Sequence, residues 1–429
     1  MRILRACKEL GIRGATIFSD ADRSSLPVLL ADEAYRIGPA PSNESYLRAE
    51  AIVELAAKIG ADAIHPGYGF LAENADFAQL AADKGVAFIG PPPSAIAAMG
   101  SKIESRRLMI DAGVPVVPGG RDPLSSVAEA EKAAASITYP VLLKASAGGG
   151  GKGMRLVRSA EELPTAFREA QAEAAASFGD ETVYLEKFVE DPRHIEIQIL
   201  GDSFGNIVSL GERECSIQRR HQKVIEEAPS PVVDADLRRR MGEAAVKAAQ
   251  AVGYTNAGTV EFLLDRHGDF YFLEMNTRLQ VEHPITELVT GVDLVVAQIR
   301  IAEGERLDAD LENLEPQGHA FEVRLYAEDP YRGFVPSPGK IEMLRLPEGP
   351  GVRNDCGVIG GSEVSIYYDP MLAKLIVWGH DREHAMGRLE RALRELKIEG
   401  VQTTAPLFLQ ILRDPDFRRG QLDNGMLDR

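Results

Sequence analysis

Residues 270–284 run Phe270-Tyr271-Phe272-Leu273-Glu274-Met275-Asn276-Thr277-Arg278-Leu279-Gln280-Val281-Glu282-His283-Pro284. Read with a period of two, Glu274, Asn276, Arg278, Gln280 and Glu282 point one way, and Met275, Thr277, Leu279 and Val281 point the other. An extended segment would line one wall with two carboxylates, two amides and a guanidinium. A second apolar run, 258–264, carries one acid, Glu261. Two antiparallel strands joined by 265–269 would set Glu261 beside Glu274, with Asn276 alongside. Hard oxygen ligands on strands suit a magnesium ion bridging phosphates. Glu274, Arg278 and Glu282 also have the i, i+4 spacing of a solvated helix. The strand-forming aromatics before Glu274 and Pro284 after it weigh against that helix.

Residues 139–146 (YPVLLKAS) form an apolar strand with one lysine, Lys144. The strand runs into Gly148-Gly149-Gly150-Gly151-Lys152-Gly153, and 154–157 (MRLV) reads as a second strand. Gly148, Gly150 and Gly153 match a dinucleotide fingerprint in spacing, but a strand follows where that fingerprint needs a helix. A P-loop is excluded too, because Gly153 follows Lys152 where Ser or Thr would reach magnesium. What remains is a hairpin tip of glycines whose bare N–H groups can close over phosphates. A flexible turn or linker is the competing reading.

Residues 212–223 (ERECSIQRRHQK) are dense with polar groups and on their own read as a solvated charged face. Glu186, Lys187 and Val189 follow the strand 183–185, where backbone can meet an adenine edge. His194 opens another alternating strand, and a lone histidine there reads as a satisfied surface group.

Elements of both periods must position these groups. Residues 1–10 form an amphipathic helix, 14–18 a strand, 46–59 a helix and 61–64 a strand ending at His65-Pro66-Gly67. Alternating strands and helices predict a parallel α/β sheet with its ligand crevice at the strand carboxyl ends. Opening on a helix is unusual for such a domain: either an opening strand is absent or the start lies late. A helix within 99–118 leads to a breaker-rich linker at 114–120. A mixed α and β middle continues to about 310, and short strands with a final helix near 381–396 complete the chain. With 429 residues, two or three domains are expected.

An apolar fraction of 45% and a charged fraction of 26% are those of a soluble globular protein. A net charge of −17 argues against a nucleic-acid surface. No apolar run approaches the roughly 20 residues that span a bilayer, and nothing at the amino terminus reads as a signal peptide. Cys7, Cys215 and Cys356 lie far apart, form no metal-ligand cluster and fit a reducing cytoplasm.

Taken together, the chain resembles biotin carboxylase, a member of the ATP-grasp superfamily. The resemblance rests on the ordered motifs 65–70 (HPGYGF), Lys144 with the glycine loop, 219–223 (RRHQK), 274–282 and 321–330 (FEVRLYAEDP). It implies an α/β and α+β architecture: an N-terminal parallel α/β domain at 1–98 with its first strand missing, an ATP-grasp domain at 99–316, and a C-terminal α+β domain at 317–429. A mobile lid is implied at about 118–190 and includes the glycine loop closing over the triphosphate.

The resemblance also implies roles. Lys102, Lys144, His194, Gln218 and His221 would contact ATP, Glu186, Lys187 and Val189 would meet adenine, and Leu263 would pack on it. Glu261, Glu274 and Asn276 would hold Mg²⁺ or Mn²⁺. Lys223, Arg278, Gln280 and the Val281 backbone would hold bicarbonate, which Glu282 would deprotonate. Arg324, near Tyr68, would stabilise the biotin enolate. With no Met-Lys-Met attachment motif, biotin is expected on a separate carrier protein, working with carboxyltransferase subunits. The wording of 326–329 and 369–371 resembles the acyl-CoA carboxylase branch, and a homodimer is implied. Ala147 and Thr404 depart from the family pattern, which usually has glycine and asparagine there. Another ATP-grasp ligase, or a non-catalytic scaffold lacking its first strand, are the alternatives.

Overall fold

The computed structural model describes residues 1–120, 123–145, 154–178, 181–220 and 222–428. The first part carries helix Arg2–Glu9, then strands β1 (Ala15–Ser19), β2 (Glu33–Gly38), β3 (Ala63–Ile64) and β4 (Ala87–Phe88). β1 pairs with β2 and β3 with β4, both in parallel. The expected parallel strands are therefore present, but as two separate pairs rather than one continuous sheet. Helices Ala49–Ile59 and Ala75–Asp83 pack beside them around Val53, Phe77 and Ala81.

A small unit follows. β5 (Val141–Ala145) lies between β6 (Met154–Val157) and β7 (Val183–Lys187), antiparallel to both. Helices Val127–Ile137 and Leu163–Phe178 cover its apolar face around Leu143, Phe167 and Leu185. The hairpin expected around the glycines is thus present in its two arms; its tip, residues 148–153, lies outside the described residues.

The largest sheet is antiparallel and eight-stranded. Its members are β8 (Arg193–Gly201), β9 (Ile207–Arg219), β10 (Gln222–Ala228), β11 (Asn256–Leu264), β12 (Phe270–Asn276), β13 (His319–Tyr326), β14 (Val352–Cys356) and β15 (Met371–Gly379). They run in the order β12-β11-β8-β9-β10-β13-β15-β14. Alternation gives this sheet two unlike faces. Ile195, Ile197 and Ile199 of β8, with Val260 and Phe262 of β11, pack in one core with Met241 and Ala245 of helix Ala235–Ala251. Phe321, Val323 and Leu325 of β13 pack under helix Arg382–Glu395 through Leu389 and Leu393. The intervening positions His194, Glu196, Glu261, Glu322 and Arg324 therefore emerge together on the other face. Helix His283–Thr290 lies across it, with Thr286 hydroxyl accepting from Arg213 at 2.9 Å.

Candidate active site

Glu261 on β11 stands opposite Glu274 on β12 and opposite Glu196 on β8. The carboxylate pairing expected from alternation is present, and residues 265–269 make the joining turn, where Asp265 accepts from the backbone N–H of His267 and Asp269. Extended chain ends at Asn276, however, and residues 277–282 turn irregularly before helix His283–Thr290. The single extended wall from 274 to 282 is thus corrected to a strand plus a turn. Packing explains the bend: Met275 is anchored in one core and Leu279 in another. Glu73 fixes the turn from outside, accepting from Thr277 N–H at 3.0 Å and Arg278 Nε at 2.8 Å.

The turn brings the groups closer than a straight strand would. Lys223 Nζ donates to Glu261 Oε1 at 2.8 Å, to Glu282 Oε1 at 2.7 Å and to Glu196. Arg324 Nη2 donates to the other oxygen of Glu282 at 2.8 Å, and its Nε to Glu226 Oε1 at 2.7 Å. Arg278 donates to Gln280 Oε1 and Asn276 Oδ1, each at 3.2 Å. Asn276 Nδ2 donates to Glu261 Oε1 at 2.9 Å. Gln280 is buried, and among the described residues its Nε2 has no acceptor.

Burial works against ionising these groups, and the pairing overrides it. Lys223, Arg324 and Arg213 hold Glu282 well below the usual carboxylate range despite its burial. Lys223 and His194 depress Glu261 likewise. The same acids, Glu196, Glu261 and Glu282, drive the Lys223 ammonium well above an ordinary lysine although burial opposes it. Glu274 opens to solvent at the sheet edge. Its remaining burial and the Glu261 charge raise its pKa. Two facing acids with that strain are a donor set that a divalent cation relieves, with Asn276 offering a third oxygen. His194, Glu196 and Glu261 also bring ligand atoms within 4.8 Å of one another. Glu261 belongs to both groups; Glu196 is already bound by Arg213 and Lys223 whereas Glu274 opens to solvent, so the facing pair is the better donor set for a hard ion.

Two expectations are corrected. Residues 212–218 are not a solvated face: they lie in the middle strand β9, with Glu212, Arg213, Glu214 and Cys215 buried. Arg213 is fully buried and donates to Glu196, Gln198 and Thr259. His194 is not a surface group either; it is buried 2.9 Å from Glu261 Oε2, whose charge raises its pKa despite the desolvation.

The residues expected at the nucleotide are divided between the small unit, the large sheet and helix Lys102–Asp111. Lys144 Nζ donates to Glu186 Oε2 at 2.6 Å, and Arg106 holds the other oxygen at 3.0 Å. Lys187 Nζ donates to the carbonyls of Thr138 and Tyr139 at 3.0 and 3.1 Å. Val189 is half-buried just past β7, half-buried Leu263 pairs in register with His194, and Gln218 Nε2 donates to Cys215 O at 2.9 Å. Lys102 opens helix Lys102–Asp111. His221 and Gly148, Gly149, Gly150, Gly151, Lys152 and Gly153 lie outside the described residues. Tyr68 is pushed up to about 12 by burial and then by the Glu322 charge, with Arg324 opposing.

Sequence reasoning missed Glu73, Glu196, Arg213, Glu226, Glu322 and Lys374. A signal existed for two of them: Glu196 and Glu322 sit two positions from His194 and Arg324, in strands where apolar residues fill the alternate positions.

Family comparison decides the class. Residues 1–96 match the biotin carboxylase N-terminal domain, 101–310 the carbamoyl-phosphate synthase L chain ATP-binding domain, and 322–429 the biotin carboxylase C-terminal domain. The chain belongs to the biotin carboxylase family. Biotin carboxylase of Nostoc sp. is 54% identical over 427 residues, covering 100% of this chain and 96% of that one. A pyruvate carboxylase subunit of Methanothermobacter thermautotrophicus is 56% identical over 429 residues, 100% of this chain and 87% of that one. Among solved structures, a biotin carboxylase–ATP complex from Campylobacter jejuni superposes with a TM-score of 0.93 at 46% identity, covering 100% of this chain and 96% of that one. The biotin carboxylase domain dimer of Hydrogenobacter thermophilus 2-oxoglutarate carboxylase, with MgADP, ADP and bicarbonate, gives 0.91 at 50% identity, covering 100% and 94%. This biotin carboxylase family member is accordingly an ATP-dependent ligase with an ATP-grasp fold. Among the described residues, no helix is long and apolar enough to cross a membrane.

Proposed function

We propose that this chain uses ATP and Mg²⁺ (or Mn²⁺) to activate bicarbonate through carboxyphosphate, and carboxylates biotin on a separate carrier protein as a cytoplasmic subunit of an acetyl-CoA or related acyl-CoA carboxylase. The observation that carries the reading is the cationic surround of Glu282: Lys223 and Arg324 on its two oxygens, with buried Gln280, whose Nε2 has no acceptor among the described residues and whose Oε1 accepts from Arg278, nearby in chain. Bicarbonate is a weak nucleophile until a base removes its proton beside fixed cations.

Held as an anion by Lys223 and Arg324, Glu282 is a poor base at rest. A bicarbonate drawing on Lys223, Arg278, Gln280 and the Val281 backbone would loosen that hold and let Glu282 take the proton. Arg324, with Tyr68 beside it, would then face the developing biotin enolate. Glu261, Glu274 and Asn276 would hold the metal, which supplies charge neutralisation on the phosphates. Lys102, Lys144, the 148–153 loop with Lys152, His194, Gln218 and His221 would bind the triphosphate, and Glu186, Lys187, Val189 and Leu263 the adenosine. The domains proposed are 1–98, 99–316 with a lid at about 118–190, and 317–429. The names of relatives support bicarbonate and MgADP as ligands and a homodimer as the assembly. The Tyr326–Asp329 and Asp369–Met371 wording supports an acyl-CoA acceptor on the carboxyltransferase partners. Oxygen-labelled bicarbonate tests the chemistry: one labelled oxygen should appear in the released phosphate. Unlabelled phosphate would contradict it.

A further inference from the structure

A group of buried charges behind Arg324 remains without a role. β10 and β13 place Glu226 directly opposite Glu322, and β13 and β15 place Arg324 directly opposite Lys374. Like charges facing each other across strands repel at about 5 Å between Cβ atoms. The diagonals compensate: Glu226 Oε1 accepts from Arg324 Nε at 2.7 Å, and Glu322 Oε1 lies 3.7 Å from Lys374 Nζ. Compensation is incomplete. Glu322 is fully buried, and among the described residues neither of its oxygens has a hydrogen-bond partner; Glu226 Oε2 has none either. Three orphan carboxylate oxygens on two adjacent buried acids are costly unless one of the acids is protonated.

We propose that the facing pair Glu226 and Glu322 carries one proton, on Glu322, and that Glu226 is the anion that aims the Arg324 guanidinium, which makes Glu226 a positioning residue for biotin carboxylation. This rests on the reading of Arg324 as the group facing biotin. Burial pushes Glu322 well above the usual carboxylate range, with Glu226 adding to it against Lys374. Glu226 is raised to about 7, first by burial and then by Glu282, against Arg324 and Lys223. Other titratable groups face the pair from the neighbouring elements. Cys215 of β9 and Tyr326 of β13 are both pushed up by their burial and stay neutral here. At the start of helix His283–Thr290, Glu282 is ionised and buried His283 is held neutral well below its usual range. Lys374 is anchored on Val281 O, and Asp355 of β14 stands 3.7 Å from it.

Above neutrality Glu226 is ionised and grips Arg324. As pH falls through about 7 it gains a proton, and the guanidinium keeps Glu282 alone as a charged partner.

The test compares biotin-dependent carboxylation with biotin-independent, bicarbonate-dependent ATP cleavage across pH, on the full chain. Glu226→Gln should lower the ratio of the two rates by about tenfold, as for loss of a charge-assisted hydrogen bond, and should remove an acid limb near pH 7 that wild type shows. Glu322→Gln, an amide in place of a neutral acid, should keep that limb. Infrared spectra of wild type should hold a protonated, slowly exchanging carboxyl band at about pH 8 that Glu322→Gln lacks. A wild-type ratio and profile in Glu226→Gln, loss of the limb in Glu322→Gln, or no such band in wild type overturns the proposal. The infrared arm decides even if a variant does not fold. A wild-type chain that cannot carboxylate biotin at all would sink the functional reading instead, while the band would still report the proton on Glu322.

Discussion

Lys223 Nζ lies 2.7 Å from Glu282 Oε1, and the same ammonium bonds Glu261 at 2.8 Å. One half-buried lysine thus joins the carboxylate proposed as base to the acid proposed for the metal. Substrate charge arriving at either acid is felt by the other through a single side chain.

Glu282→Gln keeps the shape and removes the proposed base. Bicarbonate-dependent ATP cleavage should fall by about 100-fold or more, the scale of a positioned general base, while ATP affinity stays nearly intact. Nucleotide titration beside steady-state phosphate release checks it, and wild-type rates would remove Glu282 from the role.

Glu274 faces Glu261 across the strand pair. Glu274→Gln removes one proposed hard ligand, so the Mg²⁺ concentration for half-maximal rate should rise by about tenfold, in line with loss of one charged metal contact. An unchanged Mg²⁺ titration would count against the metal assignment.

Arg213 has no exposed surface and serves Glu196, Gln198, Thr259 and Thr286. Arg213→Met leaves Glu196 buried with only Lys223 to answer it. Stability should drop by about 3–5 kcal/mol, read from urea unfolding at neutral pH; a loss under about 1 kcal/mol would mean that water or rearrangement replaces the guanidinium.

The His65 imidazole accepts from Gly67 N–H at 3.1 Å through Nδ1 and meets Gln298 Oε1 at 3.0 Å through Nε2. Burial pushes it down from 6.5 to about 4. The unfolded chain takes up a proton near pH 6.5 and the folded one only near 4, so stability falls as pH drops between them. The His65 contribution to that slope is at most about 1.4 kcal/mol per pH unit. His65→Gln should flatten the slope of unfolding free energy between about pH 6.5 and 4.5; an unaltered slope would assign it to other groups.

Much of the site was legible because strand alternation is visible in sequence. Glu261 and Glu274 could be paired from two apolar runs and a short polar turn before any coordinate was known. The buried charges were not legible for the reason that made 212–218 read as solvated: a charged side chain in sequence carries no sign of its neighbours. Only the sheet order, which puts β9 between β8 and β10, shows Arg213 enclosed by partners from neighbouring strands. The bend at 277–282 was hidden too, since alternation continues through it. It comes from Met275 and Leu279 entering different cores, a tertiary fact. The parallel strands of the first part were read correctly in kind, but their division into two pairs depends on long-range pairing.

The proposed function requires this cluster of base, lysine and acid pair to couple ATP cleavage to bicarbonate. Phosphate release from Mg-ATP should be followed with bicarbonate absent, then present, then with free biotin added. Negligible release is expected at first, then a clear rise with bicarbonate and a further rise with biotin. ATP hydrolysis that is indifferent to bicarbonate would contradict it.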